Sequence, residues 1–159
     1  DILASFVGVI DNPNNDKNGI RTTMRDHLQN EENIKIVDAK SNVDLFQEMM
    51  SRSTFALCPR GFGKTSFRMY EALNMGAIPV YIYDEPWLPY TEFLDWNEFS
   101  VLVHAKDIAK IPKLLRSHTE QDIASKQQKL QELKAKGYFS YKGVCEYIVE
   151  TIKNKYSNL

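Results

Sequence analysis

The stretch that decides the fold is STFALCPRGFGKTSFRMYEALNMGAIPVYIYD, residues 53–84. Its apolar run 55–58 is bounded by Pro59, which is typical of a short strand buried on both faces. A glycine-containing loop follows, then a segment that ends at Gly76, where a left-handed cap is expected, and then the apolar run 77–83. The pattern predicts strand, loop, helix and strand, the unit from which parallel sheets are built.

The loop after the first of these strands has the composition of an anion-binding site. Gly61 and Gly63 allow the backbone to turn tightly and to approach a ligand closely. The first backbone N–H groups of the following helix lack intrahelical partners and are therefore available to an anion. The side chains that can hold a diphosphate here are those of Arg60, Lys64, Thr65, Ser66 and Arg68.

The placement of positive charge in the helix supports this interpretation. Lys64 and Arg68 lie near the positive end of the helix dipole, where a cation is unfavourable by a few tenths to about 1 kcal/mol. A bound anion reverses the sign of that interaction. Thr65 or Ser66 is expected to cap the helix with its hydroxyl group. The sequence therefore predicts a diphosphate site at the start of this helix.

Glu71 follows Arg68 by three residues and is expected on the same face of the helix, where its carboxylate can accept hydrogen bonds from a ribose. The alternative is a surface ion pair between Arg68 and Glu71, worth about 0.2–0.5 kcal/mol, with glycines that only shape a turn. The same helix is predicted to direct Phe67, Tyr70 and Leu73 into the core.

Two familiar phosphate motifs match this loop only in part. Residues 63–65, Gly-Lys-Thr, supply the end of a Walker loop, but Cys58 stands where its first glycine is required. The dinucleotide fingerprint G-x-G-x-x-G matches Gly61 and Gly63 but finds Ser66 at its third glycine. A nucleotide triphosphatase or phosphotransferase remains an alternative that the motifs disfavour.

A series of short motifs continues in a fixed order along the larger part of the chain: STF 53–55, PRG 59–61, SFR 66–68, EAL 71–73, Gly76, IPV 78–80, LPY 88–90, DW 95–96, FSV 99–101 and, more loosely, IP 111–112 and YF 138–139. This series resembles the signature of the exostosin family of glycosyltransferases. Cys58, Tyr90 and the compact loop 62–65 depart from the family pattern, and they leave the identity of the donor sugar open.

The resemblance implies an inverting, metal-independent enzyme with two GT-B lobes, active in polysaccharide biosynthesis. Residues 1–159 resemble the single C-terminal lobe that binds a nucleotide sugar, and a UDP sugar is the implied donor, with no cofactor. The implied partners are a glycan acceptor and an acceptor lobe, expected before residue 1. The implied compartment is the Golgi or ER lumen for animal and plant members and the cytoplasm for viral or bacterial ones, so it stays open.

The composition is that of one ordinary globular domain. The chain has 159 residues, of which 43% are hydrophobic and 26% are charged. Its net charge of -1 disfavours a nucleic-acid-binding protein. No apolar run approaches the ~18–20 residues of a membrane span. Cys58 and Cys145 are too few for a disulfide framework and are predicted to be free core residues.

Periodicity and turn signals predict a Rossmann-like parallel sheet of about five strands, with helices on both faces and a C-terminal helical segment. The strand order 3-2-1-4-5 is expected. The predicted strands are 2–10, 34–38, 55–58, 77–83 and 98–103, and the predicted helices are 20–29, 43–50, 66–75, 119–136 and 140–156. A helical turn is expected at 107–111, and the last helix is predicted to bury Val144, Ile148, Thr151 and Ile152.

Further candidate site residues lie outside the central motif. Arg21 and Arg25, in the first helix, either approach the donor diphosphate or the acceptor, or belong to a solvated face. Loop 11–19 is either solvated or a lid. Trp87 or Tyr83 either flanks a base or sugar ring or packs structurally. Trp96 and His104 are predicted to be structural.

Inverting transfer needs a general base and stabilisation of the departing nucleoside diphosphate. Arg60, Lys64 and Arg68 are expected to stabilise the leaving charge without a metal, since no Asp-x-Asp or other metal-ligand spacing occurs. Asp84 and Glu85 are the candidate bases in this chain, and a base on the acceptor lobe is the alternative. A non-catalytic module that binds a nucleotide sugar or stabilises a partner enzyme also remains open.

Overall fold

The computed structural model of the protein describes residues 2–14, 16–40 and 42–156. The sheet has five parallel strands, as the sequence predicts: β1 (Ile2–Gly8), β2 (Ile34–Asp38), β3 (Ser53–Pro59), β4 (Ile78–Tyr83) and β5 (Val101–His104). Relative to expectation, β1 ends two residues earlier and β5 begins three residues later. Because all five strands are parallel, their carboxyl ends lie at the same edge of the sheet.

The order of the strands across the sheet is β2-β1-β3-β4-β5, so the predicted order 3-2-1-4-5 is wrong. Burial explains the difference. β1 and β3 are buried along most of their length, whereas β2 carries the exposed Lys35 and suits an edge position. The buried hydroxyl groups of Ser53 and Ser5 are hydrogen-bonded at 2.7 Å, which joins β3 directly to β1.

In the described part of the chain, six α-helices accompany the sheet: α1 (Ile20–Leu28), α2 (Val43–Ser51), α3 (Phe67–Met75), α4 (Ile111–Arg116), α5 (Glu120–Ala135) and α6 (Tyr141–Tyr156). Right-handed crossovers place α1 on one face, where it contacts the 3-10 helix Ala105–Lys110. They place α2 and α3 on the opposite face, where α3 contacts α5. The predicted α/β fold with helices on both faces is confirmed.

Local signals determine several helix ends. At the start of α5 the backbone N–H of Asp122 donates to Thr119 Oγ1 at 3.2 Å, and Asp122 Oδ2 accepts from the backbone N–H of Thr119 at 2.8 Å. This is the capping box that the sequence predicts. Gly76 and Gly137 follow α3 and α5 with φ values of 82° and 76°, which favour glycine.

Three predictions about burial are wrong. Phe67 is 80% exposed, because it is the first residue of α3 and lines an open cleft instead of the core. No residue of α6 is buried, and Val144, Ile148, Thr151 and Ile152 are all exposed. This helix packs on the body of the protein through other residues. Both cysteines are free, but only Cys58 is buried, since Cys145 lies on α6.

Among the described residues, no helix has both the length and the apolar character that crossing a membrane requires.

Candidate functional site

A cleft of about 440 Å³ lies beyond the carboxyl end of β3, at the start of α3. It is lined by Arg21, Gly61, Phe62, Gly63, Thr65, Ser66, Phe67, Arg68 and Glu71. Most of the side chains that the sequence predicts to bind a donor therefore come together. Arg60, Lys64 and Arg25 do not line the cleft.

Arg21 and Arg68 are the central cations of this cleft. Arg68 donates a hydrogen bond to the carbonyl oxygen of Val7. Arg21 donates to the carbonyl oxygen of Val9 at 2.7 Å and to that of Arg60 at 3.4 Å. Among the described residues, neither guanidinium lies within 4 Å of a carboxylate. Both hydrogen-bond to backbone oxygens, which do not neutralise their charge.

Burial acts on both of these cations, and the charge of Arg68 acts on Arg21. Burial lowers the pKa of Arg68, and burial together with the charge of Arg68 lowers the pKa of Arg21. The guanidinium carbon of Arg68 lies 4.6 Å from the centre of the Phe6 ring and 5.1 Å from that of the Phe46 ring. The guanidinium carbon of Arg21 lies 5.6 Å from the centre of the Phe6 ring. The aromatic rings hold the cations in place, so the site is positively charged before any ligand arrives.

Glycine residues make room for these guanidinium groups. A Cβ atom on Gly8 would lie 2.8 Å from Nη2 of Arg68, and one on Gly61 would lie 3.1 Å from Nη2 of Arg21. A Cβ atom on Gly63, by contrast, would meet nothing within 4 Å among the described residues, and the φ of Gly63 is not positive. Sequence reasoning missed Gly8, although a glycine at the end of a buried strand is a signal that can be recognised.

The start of α3 opens into the cleft without a side-chain cap. Ser66 is the N-cap residue, with an extended backbone, but its side chain makes no capping hydrogen bond. The expected hydroxyl cap is therefore absent at Ser66. The first backbone N–H groups of a helix lack intrahelical acceptors, and those of α3 add to the positive potential that Arg21 and Arg68 create.

Glu71 lies between this cleft and a second cavity of about 260 Å³, and both cavities are also lined by Arg68. The second cavity extends along Val7, Gly8 and Phe46. The alternative of a surface ion pair between Arg68 and Glu71 does not describe the structure, because Arg68 points to the β1 carbonyl instead. The exposed carboxylate of Glu71 is therefore available to a ligand.

Arg60 is 5% exposed and is turned away from the cleft. Its guanidinium binds Oδ1 of Asp84 at 2.5 Å and donates to the carbonyl oxygen of Gly63 at 3.2 Å. Asp84 also accepts hydrogen bonds from Asn18 and from the backbone N–H of Glu85. Burial alone would raise the pKa of Asp84, but these hydrogen bonds, above all that from Arg60, lower it to about 2.

The other two predicted cations are paired at the surface. Lys64 forms an ion pair with Glu85 at 2.5 Å, and both side chains are well exposed. Arg25 pairs with Asp11 at 2.7 Å and with Asp26 at 3.0 Å. Helix α1 thus brings Arg21 to the cleft and keeps Arg25 away from it.

The remaining candidates have structural roles or lie at the rim. Trp96 is buried and donates to the carbonyl oxygen of Pro89 at 2.8 Å, so its predicted packing role is confirmed. Nδ1 of His104 accepts from the backbone N–H of Lys106 at 3.1 Å and caps a 3-10 helix, which confirms a structural role. Trp87 is 48% exposed, and Tyr83 stacks on Tyr81. Within the described ranges, no three His, Cys, Asp or Glu side chains are grouped so that they could hold a metal ion.

The sequence model of the Exostosin GT47 domain matches residues 1–118. The chain belongs to the exostosin GT47 family. The matched region contains all five strands and every residue of the cleft, whereas α5 and α6 lie beyond it. This match confirms the resemblance to the exostosin family that the ordered series of motifs indicates.

Curated relatives of this exostosin-family chain include glycosyltransferases. It is 40% identical to an exostosin-1 homolog of Caenorhabditis elegans over 49% of the chain and 20% of that protein. It is 40% identical to a probable glucuronosyltransferase of Oryza sativa subsp. japonica over 54% of the chain and 20% of that protein. A probable beta-1,4-xylosyltransferase of Arabidopsis thaliana is 32% identical over 81% of the chain and 32% of that protein. The matches thus span a third or less of each relative's length, and these names support glycosyl transfer.

Proposed function

We propose that this chain is the nucleotide-sugar-binding lobe of a GT-B glycosyltransferase that transfers a sugar from a UDP sugar to a hydroxyl group of a glycan, with inversion at the anomeric carbon. The observation that carries the proposal is the pair of partly buried guanidinium groups of Arg21 and Arg68, which meet no carboxylate among the described residues. A diphosphate is the kind of ligand that two such cations and an uncapped helix start bind together.

The same groups suit the chemistry of transfer. When the bond between the anomeric carbon and the diphosphate oxygen breaks, negative charge grows on the departing nucleoside diphosphate. Arg21, Arg68 and the first N–H groups of α3 stabilise that charge, and the Phe6 ring and the β1 carbonyls hold them in position beforehand. This electrostatic stabilisation requires no metal, and we propose a metal-independent reaction.

Arg60 and Lys64 support the site in different ways. Arg60 is neutralised by Asp84, so it positions the loop and presents its carbonyl oxygen to Arg21. Lys64 is exposed, and its ammonium can exchange Glu85 for a phosphate oxygen when a donor binds. Thr65 and Ser66 offer hydroxyl groups to the same phosphates, and Glu71 accepts the ribose hydroxyl groups.

The general base is proposed to come from the acceptor lobe. Asp84 is a weak base, because its pKa is about 2 and Arg60 holds its carboxylate. Glu85 is the remaining candidate in this chain, and it must first release Lys64. The pairing of both carboxylates also favours the second candidate function, a module that binds a nucleotide sugar without activity of its own.

Calorimetric titration with UDP, GDP and ADP, with and without magnesium, tests the proposal. The expected result is metal-independent binding of UDP that Arg21→Ala weakens roughly 10- to 100-fold, as for the loss of a hydrogen bond to a charged group. Arg25→Ala is the matched control on the same helix and is expected to leave UDP binding unchanged. Binding that requires magnesium, or equal effects of the two substitutions, would contradict the proposal.

Transfer activity in the full-length enzyme separates the two candidate functions. Release of UDP that depends on a glycan acceptor and falls in Arg68→Ala supports the transferase. If the full-length protein binds UDP but shows no release of UDP from the donor with the glycan acceptors tested, the result supports the non-catalytic module.

A further inference from the structure

A further groove is lined mainly by residues beyond the part of the chain that the family matches, together with Phe93 from within that part. It has a volume of about 700 Å³ and runs along α6. Its walls combine the rings of Phe93, Tyr138 and Tyr147 with the charged groups of Lys136, Glu146 and Glu150. We refer to it as the aromatic groove.

The rings of the aromatic groove are held in fixed positions. Phe93 lies 5.8 Å from Tyr138 and 5.6 Å from Tyr147, centre to centre. Tyr90 packs beneath them, with its ring 4.5 Å from that of Tyr147 and its hydroxyl donating to the carbonyl oxygen of Tyr138 at 2.9 Å. Because the rings support one another, Phe93 stays 50% exposed instead of collapsing into the core.

The backbone supports this arrangement at two unusual positions. Tyr90 has a φ of 61°, a conformation that costs a bulky residue of order 1–3 kcal/mol and that recurs at functional sites. Near the start of α6, a Cβ atom on Gly143 would lie 2.0 Å from the carbonyl oxygen of Gly137, so only glycine lets α6 approach so closely. This close approach brings the Tyr147 ring of α6 against the rings of Tyr90 and Phe93 at the groove.

We propose that the aromatic groove binds a neutral glycan chain. Exposed aromatic faces stack on the apolar faces of sugar rings, and carboxylates such as those of Glu146 and Glu150 accept hydrogen bonds from sugar hydroxyl groups. The volume lies within the range of ordinary ligand sites. The choice of a glycan rests on the proposed function, in which a growing glycan is the acceptor.

The charges of the groove select against an acidic glycan. Glu146 and Glu150 outnumber Lys136, and Glu92 lies near the hydroxyl of Tyr147 at 3.4 Å. Lys142 approaches Glu146 at 3.7 Å, but both side chains are strongly exposed and the pair is weak. A glycan rich in uronic acid would meet net repulsion, whereas a neutral glycan would not.

Titration of the 159-residue chain with β-1,4-linked xylohexaose, followed by NMR and calorimetry, tests the proposal. The expected result is binding that perturbs the signals of Phe93 and Tyr147. Phe93→Ala is expected to weaken binding roughly 3- to 10-fold and Glu150→Gln about tenfold. Tyr156→Ala, which removes a similarly exposed ring elsewhere on α6, is the matched control and should have no effect.

Other outcomes overturn the proposal. Perturbations at Phe62 and Phe67 instead of the groove would assign the glycan to the donor cleft. Salt-sensitive binding of a lysine octapeptide, without binding of xylohexaose, would identify the groove as a peptide site. UDP is titrated in parallel: UDP binding without groove binding refutes only this inference, and groove binding without UDP binding refutes only the proposed donor site.

Discussion

Arg21 and Arg68 place their guanidinium carbons against the same aromatic ring, 5.6 Å and 4.6 Å from the centre of Phe6. The two residues belong to different helices, α1 and α3, which lie on opposite faces of the sheet. Their charges meet at the carboxyl edge of β1, and neither guanidinium lies within 4 Å of a carboxylate in the described part of the chain.

Arg68→Met is expected to reduce UDP affinity about 10- to 100-fold while changing the free energy of unfolding of the unliganded protein by less than about 1 kcal/mol. The cation that attracts the diphosphate is lost, but its removal also ends the repulsion with Arg21. Calorimetry and urea denaturation measure the two quantities. Arg52→Met, at an exposed arginine paired with Glu48, is the control and should leave UDP affinity unchanged.

Gly8→Ala is expected to weaken UDP binding about tenfold, because the new methyl group would lie 2.8 Å from Nη2 of Arg68 and 3.3 Å from Cζ of Phe6. Gly63→Ala is the matched control, since its new Cβ atom would meet nothing within 4 Å among the described residues and the φ of Gly63 is not positive. Titration of both variants with UDP checks the prediction. A larger loss of UDP affinity in Gly63→Ala than in Gly8→Ala would contradict the prediction. The space that matters would then be the space for the ligand at Gly63 and not the space for Arg68 at Gly8.

Asp84→Asn is expected to lower the free energy of unfolding by about 2 kcal/mol near pH 7, the value that corresponds to the lowered pKa of Asp84, because the buried Arg60 loses its carboxylate partner. The folded-state pKa of Asp84 is about 2, below its ordinary value of 3.8. The stabilisation is therefore complete above about pH 5 and disappears as the pH falls towards 2. Urea denaturation of both proteins between pH 7 and pH 3 should show the curves converging, and a constant difference would refute the assignment.

The two thiol groups are expected to differ sharply in reactivity at pH 8. Burial raises the pKa of Cys58 to about 12, whereas Cys145 is exposed on α6. A thiol reagent should label Cys145 in the folded protein and both residues in urea, as mass spectrometry can show. Cys145→Ser should abolish labelling of the folded protein, and rapid labelling of Cys58 would show that β3 opens readily.

Much of the fold could be predicted because its signals are local. The predicted strand 34–38 coincides with β2, and Gly76 and the Thr119–Asp122 capping box mark helix ends where expected. The phosphate-site prediction also started from local features, namely the glycines and cations of a single strand-loop-helix unit. Most of those residues do line one cleft.

The errors concern relationships between distant segments. Strand order depends on which neighbour of β1 can be buried on both faces, which the separate strands do not reveal. The exposure of the apolar residues of α6 depends on the ring cluster around Tyr90, to which the helix docks through Tyr147. The sequence spacing of Arg21 and Arg25 does not show which of the two side chains reaches the cleft.

Residue pattern alone thus predicts a parallel α/β domain that resembles the exostosin family, and it predicts an anion site at the start of α3, because hydrophobic period, glycine and charge act over a few neighbouring residues. Only the tertiary structure decides that Arg21 joins Arg68 around Phe6, that Gly8 makes this possible and that Asp84 neutralises Arg60. Those relationships are set by packing and electrostatics between segments that are far apart in the chain and meet only in the folded protein.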